Sequence, residues 1–337
     1  MIENRVVQGN RRRLAAIILW PALAVLLAPV AETAELEPEQ LESFVSRMQQ
    51  HGVASERVRT LLAKARYRQS IIDAITAPAE AKPWHEYRQI FVNDRRIAAG
   101  VAFWRDNREL VAEVAAAYGV QPGIIVAIVG VETGYGANTG GYRVLDALVT
   151  LGFSYPRRGE FFRSELSHLL RLGEEEDLAV TEASGSYAGA MGIGQFMPSS
   201  YREYAVDFDG DDRRDLWHSL PDALASVSNY LHRHGWRAGE AIAVEAFVDE
   251  ATSVPEPRGG KPGRSIAELE SAGIEPRSRE LSRSRKATII ELETKDGPQY
   301  WLGLHNFYVL TRYNRSHLYA MAVLQLSRAL EAGLEAS

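Results

Sequence analysis

The chain has 337 residues with 46% hydrophobic and 24% charged side chains, ordinary globular content that excludes the disordered and fibrous classes. It carries no cysteine, which excludes disulfides, thiolate zinc sites, iron–sulfur clusters and a cysteine nucleophile. Its formal net charge is −6, and a chain this acidic is not expected to take nucleic acid as a partner.

At the start, Arg11, Arg12 and Arg13 precede an apolar run from Leu14 to Ala28, followed by small residues and an acidic stretch. That is the layout of a secretory signal over residues 1–34, with cleavage expected between Ala28 and Ala34 and a periplasmic destination. The run is short for a membrane span and Pro21 interrupts it; an uncleaved inner-membrane anchor is the alternative. Residues 1–34 hold four Arg and two Glu, so the remainder has 34 basic and 42 acidic residues, net −8.

From Pro38 to about Trp236 the patterns are helical. LEPEQLESFVSRMQQHG has a polar start, apolar residues at helical spacing and a closing Gly. Further helical stretches are ASERVRTLLAKARY, RIAAGVAFWRDNRELVAEVAAAYG, PGIIVAIVGVET, YRVLDALVTLGF, GEFFRSELSHLLRLG and PDALASVSNYLHRHG. After Gly239, AIAVEAFVD, ATIIELET, QYWLGL and FYVLTRY are short β-branched and aromatic runs that predict strands, with SIAELESAGI a short helix among them. SHLYAMAVLQLSRALEAG returns to a helix expected to pack on the helical part. The expected organisation is an N-terminal helical domain over 35–104, a helical core over 105–238, a small β-rich module over 239–313 and a closing helix over 314–337, a mainly α (α+β) fold.

IVAIVGVETGYG holds one carboxylate, Glu132, at the end of a helix apolar on every face. Pro122 suits the helix start and Gly134 and Gly136 supply the stop. A glutamate in such a last turn is poorly solvated and meets the negative end of the helix dipole, which raises its pKa and keeps a proton available for general acid catalysis. Alternatively, Glu132 lies just past the apolar section and points into water. GSYAGAMGIGQFMPSSY combines close-approach glycines with neutral hydroxyls, an amide and apolar surface, which suits a sugar chain or, equally, a tight helix crossing.

VETGYG, LGFSYPRR, SYAGAMGIGQFMPSSY, DFDGD with DLW, and NFYVLTRYN followed by HLYAMAV occur in the order seen in the lytic murein transglycosylase B family, glycoside hydrolase family 103, and the chain resembles that family from about Trp84 to about Leu326. The resemblance implies a lysozyme-like helical core, with the β module inserted before the last helix. It implies Glu132 as the single catalytic acid/base. Ser186, Gln195 and Phe196 match positions that bind the sugar chain, Tyr87 an aromatic groove position, Arg157 and Arg158 a pair suited to peptide carboxylates or sugar oxygens, and Tyr230, Tyr313, Asn314 and Tyr319 further site positions. For the tyrosines, core packing with a satisfied hydroxyl is the competing reading.

Most glycosidases use two carboxylates, and no convincing second one is visible. Asp146 is expected to make a surface or capping contact. The mechanism implied by the resemblance needs one acid: Glu132 protonates the oxygen linking N-acetylmuramic acid to N-acetylglucosamine, then takes the proton of the muramoyl C6 hydroxyl as that oxygen attacks C1 and closes a 1,6-anhydro ring. No cofactor takes part in the chemistry. A muramidase using water, and a non-catalytic peptidoglycan-binding protein, are the alternatives. The partners implied are peptidoglycan glycan strands, and other cell-wall enzymes besides.

DFDGDDRRDLWHSLPD places Asp207, Asp209 and Asp211 at alternate positions like the first three ligands of an EF-hand, with the Arg213 carbonyl next. Two departures are Asp212 where the EF-hand has Gly and His218 where it has a bidentate Glu. The resemblance makes Asp222 the closing ligand. Hard oxygen donors favour a structural Ca2+, with magnesium or sodium as alternatives. Family members with a lipid anchor carry a cysteine after the signal; this chain has none, so no lipid anchor is expected.

Overall fold

The computed structural model describes residues 36–77, 82–176, 178–249, 252–255, 260–278 and 280–336. The expected signal segment lies outside the described residues.

The described chain begins with four short helices, α1 (Pro38–Gln50), α2 (Ser55–Ala63), α3 (Gln69–Thr76) and α4 (Trp84–Phe91). The single helix expected from RIAAGVAFWRDNRELVAEVAAAYG is two, α5 (Asp94–Asp106) and α6 (Arg108–Tyr118). Asn107 leaves helical geometry between them, and its side-chain amide donates back to the Phe103 carbonyl at 2.8 Å. That local bond competes with continuing the helix.

Helix α7 (Pro122–Thr133) starts on Pro122 and stops at Gly134, which takes a left-handed conformation with φ 60°. Residues 123–131 are all buried, as a helix apolar on all faces requires. There follow β1 (Tyr142–Arg143), α8 (Val144–Ser154), α9 (Gly159–Glu175), β2 (Ser184–Gly185), α10 (Pro198–Tyr204) and α11 (Leu220–Arg233). β1 and β2 pair antiparallel, with Tyr142 opposite Gly185. Gly140 makes that pairing possible: its φ is +101°, and a Cβ there would lie 2.1 Å from the Gly185 carbonyl oxygen.

The β-rich part consists of β3 (Ala243–Val248), β4 (Arg264–Ser265), α12 (Ile266–Ser271), β5 (Ile274–Pro276), β6 (Lys286–Thr294) and β7 (Gly297–Gly303). The antiparallel sheet has the order β4-β6-β7-β3-β5. Alternation along β6 divides its side chains: Ile290 and Leu292 join the core of the helical part, while Ala287 and Ile289 join a smaller core with Ile266, Leu269 and Ile274. One face of the sheet therefore rests on the helices and the other is covered by α12.

FYVLTRY, expected as a strand, lies in helix α13 (His305–Tyr313). Phe307, Val309, Leu310 and Thr311 are all buried, so its apolar content serves a helix in the core and overrides β propensity. Asn306 anchors its first turn, accepting from the Arg237 N–H at 2.9 Å and donating to the Arg237 carbonyl at 2.8 Å. Helix α14 (His317–Glu335) closes the chain and lies against α7 and α5. Gly123 allows this approach, since a Cβ there would meet the Ser327 hydroxyl at 2.6 Å.

Candidate active site

The Glu132 carboxylate accepts a hydrogen bond from the Tyr319 hydroxyl at 2.6 Å, across 187 residues of sequence. Helix α7 brings the acid and the first turn of α14 the phenol. Burial pushes the Glu132 carboxyl up to about 7, and the Tyr319 bond pulls the other way. Glu132 itself keeps part of its surface accessible, whereas Thr133 beside it is buried. Burial and this one bond are the influences on its titration; no second acid figures among them.

Around this pair stands a group of tyrosines. The Tyr313 ring lies parallel to that of Tyr319, 6.4 Å between centroids and 3° between planes. The Tyr313 hydroxyl donates to the Gly194 carbonyl at 2.5 Å, tying α13 to the glycine-rich segment. Burial and the Glu132 charge hold both phenols well above their ordinary range, so each stays a proton-bearing donor. Tyr230 packs edge-on to Tyr313 at 4.9 Å, and its hydroxyl donates to the Arg312 carbonyl at 2.6 Å. Phe196 meets both rings at 5.9 Å.

The glycine-rich segment forms the next part of the wall. Gln195 adopts φ 52°, and its side-chain amide donates to the Thr139 and Gly192 carbonyls, each at 3.0 Å. Ser186 is half-buried, and its Oγ accepts from the Ala190 N–H at 3.1 Å, leaving the hydroxyl proton for another acceptor. Arg157 and Arg158 are exposed beyond α8; the Arg158 guanidinium lies 4.2 Å from the Phe161 ring centroid. Asn314 follows Tyr313, half-buried, and its Oδ1 accepts from the Ser316 N–H at 3.0 Å.

In the aspartate loop, one carboxylate oxygen from each of Asp207, Asp209 and Asp211 lies within 4.8 Å of the others, and all three residues are exposed. Oxygens 2.3–2.6 Å from one Ca2+ are separated by up to about 5 Å, so these donors fit a calcium ion. Gly210 and Asp212 take positive φ, 77° and 66°, to turn the loop around that point. The Arg213 N–H donates to Asp211 at 2.9 Å.

A family model described as "Transglycosylase SLT domain" matches residues 37–328. The chain belongs to this transglycosylase family. It is 41% identical over 300 residues to the membrane-bound lytic murein transglycosylase B of Escherichia coli strain K12, a match covering 86% of this chain and 82% of that protein. Its fold is similar to that of the catenated lytic transglycosylase SltB1 of Pseudomonas aeruginosa, with TM-score 0.82, 46% identity and coverage of 88% and 98%. It is also similar to the Escherichia coli lytic transglycosylase Slt35 in complex with calcium, with TM-score 0.79, 40% identity and coverage of 87% and 93%.

Against this family background, burial bears on five of the residues singled out in the sequence. Phe196 is only 3% exposed and braces the tyrosines from below, so it offers no face to a sugar. Tyr230 is likewise buried with its hydroxyl spent on Arg312, the core-packing alternative. Asp222 is fully buried and is not one of the three exposed carboxylates whose oxygens converge. Its two oxygens accept from the Phe208 and Asp215 N–H groups, each at 2.8 Å, so it clasps the two ends of the loop. Tyr87 is buried as well, stacked on Trp84 and tilted against Phe91. Of the surface or capping contact expected for Asp146, the surface part fails: it is buried in the first turn of α8, where it accepts from the Arg66 N–H and pairs with Arg143.

Two residues of the site have no mark of their own in the sequence. Thr133 shares its hydroxyl proton between the Val129 and Ile193 carbonyls and accepts from the Gly136 N–H at 3.0 Å, which fastens the end of α7 to the glycine-rich segment. A hydroxyl next to the glutamate is the only hint. Glu165 on α9 is another buried acid, but both its oxygens cap α10 through Ser199, at 2.9 and 2.8 Å.

Proposed function

We propose that this chain cleaves the bond between N-acetylmuramic acid and N-acetylglucosamine in peptidoglycan without water, leaving 1,6-anhydromuramoyl ends, with Glu132 as acid and then base. The observation that carries this is the carboxyl raised to about 7 by burial, bonded to Tyr319 and, among the described residues, without a second acid acting on it. Protonated near neutral pH, Glu132 delivers its proton to the glycosidic oxygen as the bond to C1 breaks. The resulting carboxylate is stabilised by the Tyr319 O–H, and it takes the proton from the C6 hydroxyl as O6 bonds to C1. One proton is given and one returned, so the site ends as it began. Among the described residues no second acid acts on Glu132, which favours this route over hydrolysis, a reaction that uses a second group to activate water or form a covalent intermediate. Tyr313 and Tyr319 hold the acid in place, Gln195 and Ser186 supply neutral polar groups for the sugar, and Arg157 and Arg158 stand ready for anionic or hydroxyl partners.

Asp207, Asp209 and Asp211, with the Arg213 carbonyl, would hold a structural Ca2+ that braces the loop following the glycine-rich segment; it takes no part in bond breaking. Glycan strands are the partner, and the substrate places the work in the cell envelope, in keeping with the periplasmic destination read from residues 1–34.

The test is mass spectrometry of the products after incubation with purified peptidoglycan. Anhydromuramoyl ends, lighter by one water than reducing ends, support the reading. Reducing ends would make the protein a muramidase, and binding without release would make it a glycan-binding protein.

A further inference from the structure

Beyond the tyrosine-lined acid, a cleft of roughly 430 Å3 opens between the α2–α3 connection and the start of α8, lined by Arg66, Arg68, Ser70, the Gly141–Arg143 segment and Asp146. Three guanidinium groups face one carboxylate there, in a chain whose formal charge is −6. The framework is rigid. The Arg66 N–H donates to Asp146 at 2.9 Å and the Arg68 N–H to the Thr150 hydroxyl at 3.2 Å, so two residues one helical turn apart on α8 pin the extended stretch that carries both arginines.

The arginines do not share the work of neutralising Asp146 equally. Arg143 pairs with it directly and also donates to the Lys64 carbonyl at 2.7 Å. The Arg68 guanidinium stands at 3.6 Å with 41% of its side chain exposed. The Arg66 side chain is exposed and meets no carboxylate among the described residues. Asp146 pairs with Arg143 and, at 3.6 Å, with Arg68; Arg66 has no carboxylate partner among the described residues, and Arg66 and Arg68 both line the concave space. Guanidinium forks in such a place match a carboxylate.

The cleft borders the sugar-binding wall. Gly141 lies two residues from Thr139, whose carbonyl holds Gln195, a span of at most about 7 Å. Tyr142 pairs with Gly185, next to Ser186. A five-residue peptide reaches up to about 17 Å when extended, so a peptide attached to a saccharide lying along Ser186 and Gln195 spans the distance.

We propose that this cleft binds a free carboxylate of the peptide stem carried by the muramoyl residue, with Arg66 and Arg68 as the contacts, so that the enzyme senses whether its glycan is peptide-bearing. The proposal rests on the transglycosylase reading above. Arg143 is occupied by Asp146 and the Lys64 carbonyl, while Asp146 and Thr150 fix the backbone of the other two.

The test measures affinity by calorimetry in the inactive Glu132→Gln background, for two probes: a soluble muropeptide tetrasaccharide with its stems, and the same glycan stripped of stems by an amidase. Arg66→Ala combined with Arg68→Gln is expected to weaken the stem-bearing probe about five- to tenfold and leave the stripped probe unchanged, with a larger gap at low salt. Arg66→Lys should keep most of the affinity and Arg66→Glu should lose more than Arg66→Ala. Arg66 engages the fold through its backbone, so these single variants retain it. Equal loss for both probes, or none for either, overturns the proposal. Wild-type protein on stripped glycan tells the two readings apart: anhydro ends there, without stem discrimination, sink only the stem site, whereas no anhydro ends from either substrate sinks the transglycosylase reading itself.

Discussion

The helix end at Glu132 and the loop at Asp207–Asp211 use the same functional group in opposite surroundings. The glutamate is enclosed by apolar side chains and tyrosines and keeps its proton near neutrality. The three aspartates are exposed and turn their oxygens toward one another around turning backbone. Burial of an isolated carboxylate disfavours its charge and makes it an acid. Gathering several carboxylates at the surface creates a negative cavity that a hard cation relieves. Asp222 is a third case within the same stretch: it is buried, and its oxygens accept from the Phe208 and Asp215 N–H groups, which makes it a clasp between the two ends of the loop. The number and kind of donors each carboxylate meets decides among the three roles.

The contrast breaks most sharply at Glu132. Glu132→Gln is expected to lower anhydro-product formation by about a thousandfold or more while glycan binding persists, since the amide keeps the shape and loses the proton. In the wild type the rate should fall as pH rises through about 7, where the acid form is lost. Substantial turnover by the variant would mean that another group is the acid. Tyr319→Phe comes next, with a loss of about ten- to a hundredfold. The Tyr319 bond holds the carboxyl down, so without it the alkaline limb of the pH–rate profile should move upward. A merely structural Tyr319 would lower the rate and leave that limb in place.

The Glu132 side of the comparison was legible in the sequence as far as one helix carries it. Pro122, the apolar run and Gly134 predict α7 and the enclosure of its last turn, and both are present. Tyr319, which holds the acid, lies 187 residues away, and no local pattern shows that two helices cross there. Short apolar segments read poorly for the same reason: Phe307, Val309 and Leu310 look like a strand until their burial on three sides of a helix is seen. The burial of Asp146 and Phe196 is not legible in the sequence because exposure is a tertiary property; each falls in a segment whose composition fits either face. At the aspartate loop the alternate spacing was readable and the three oxygens do converge, whereas Asp222 required knowing which N–H groups the fold would leave without partners.

On the loop side, the expected effects are on stability. Asp222→Ala strands the Phe208 and Asp215 N–H groups and should cost about 2–5 kcal/mol, with or without metal. Chelator treatment of the wild type should cost about 3 kcal/mol if calcium is present at a hundred times its dissociation constant. Asp209→Asn should remove most of the calcium response. Thermal melts with and without chelator read all three. An Asp222→Ala melt that no longer responds to calcium would return Asp222 to the ligand set.

The smallest effect concerns the stability cost of keeping Glu132 buried. Its folded pKa, about 7, lies above the ordinary value of 4.5, so the folded state holds a proton that the unfolded state has released between those values. Stability from this group is therefore fully present below pH 4.5 and is lost as pH rises through 7. Glu132→Gln carries no such proton and still accepts from Tyr319. Its melting temperature should match the wild type near pH 4.5 and exceed it above pH 7, by an amount worth about 1–3 kcal/mol. A difference independent of pH would mean that the carboxylate is better solvated than its tyrosine enclosure implies. A gain that grows with pH would show that the fold gives up stability to keep a protonated acid where the glycan lies.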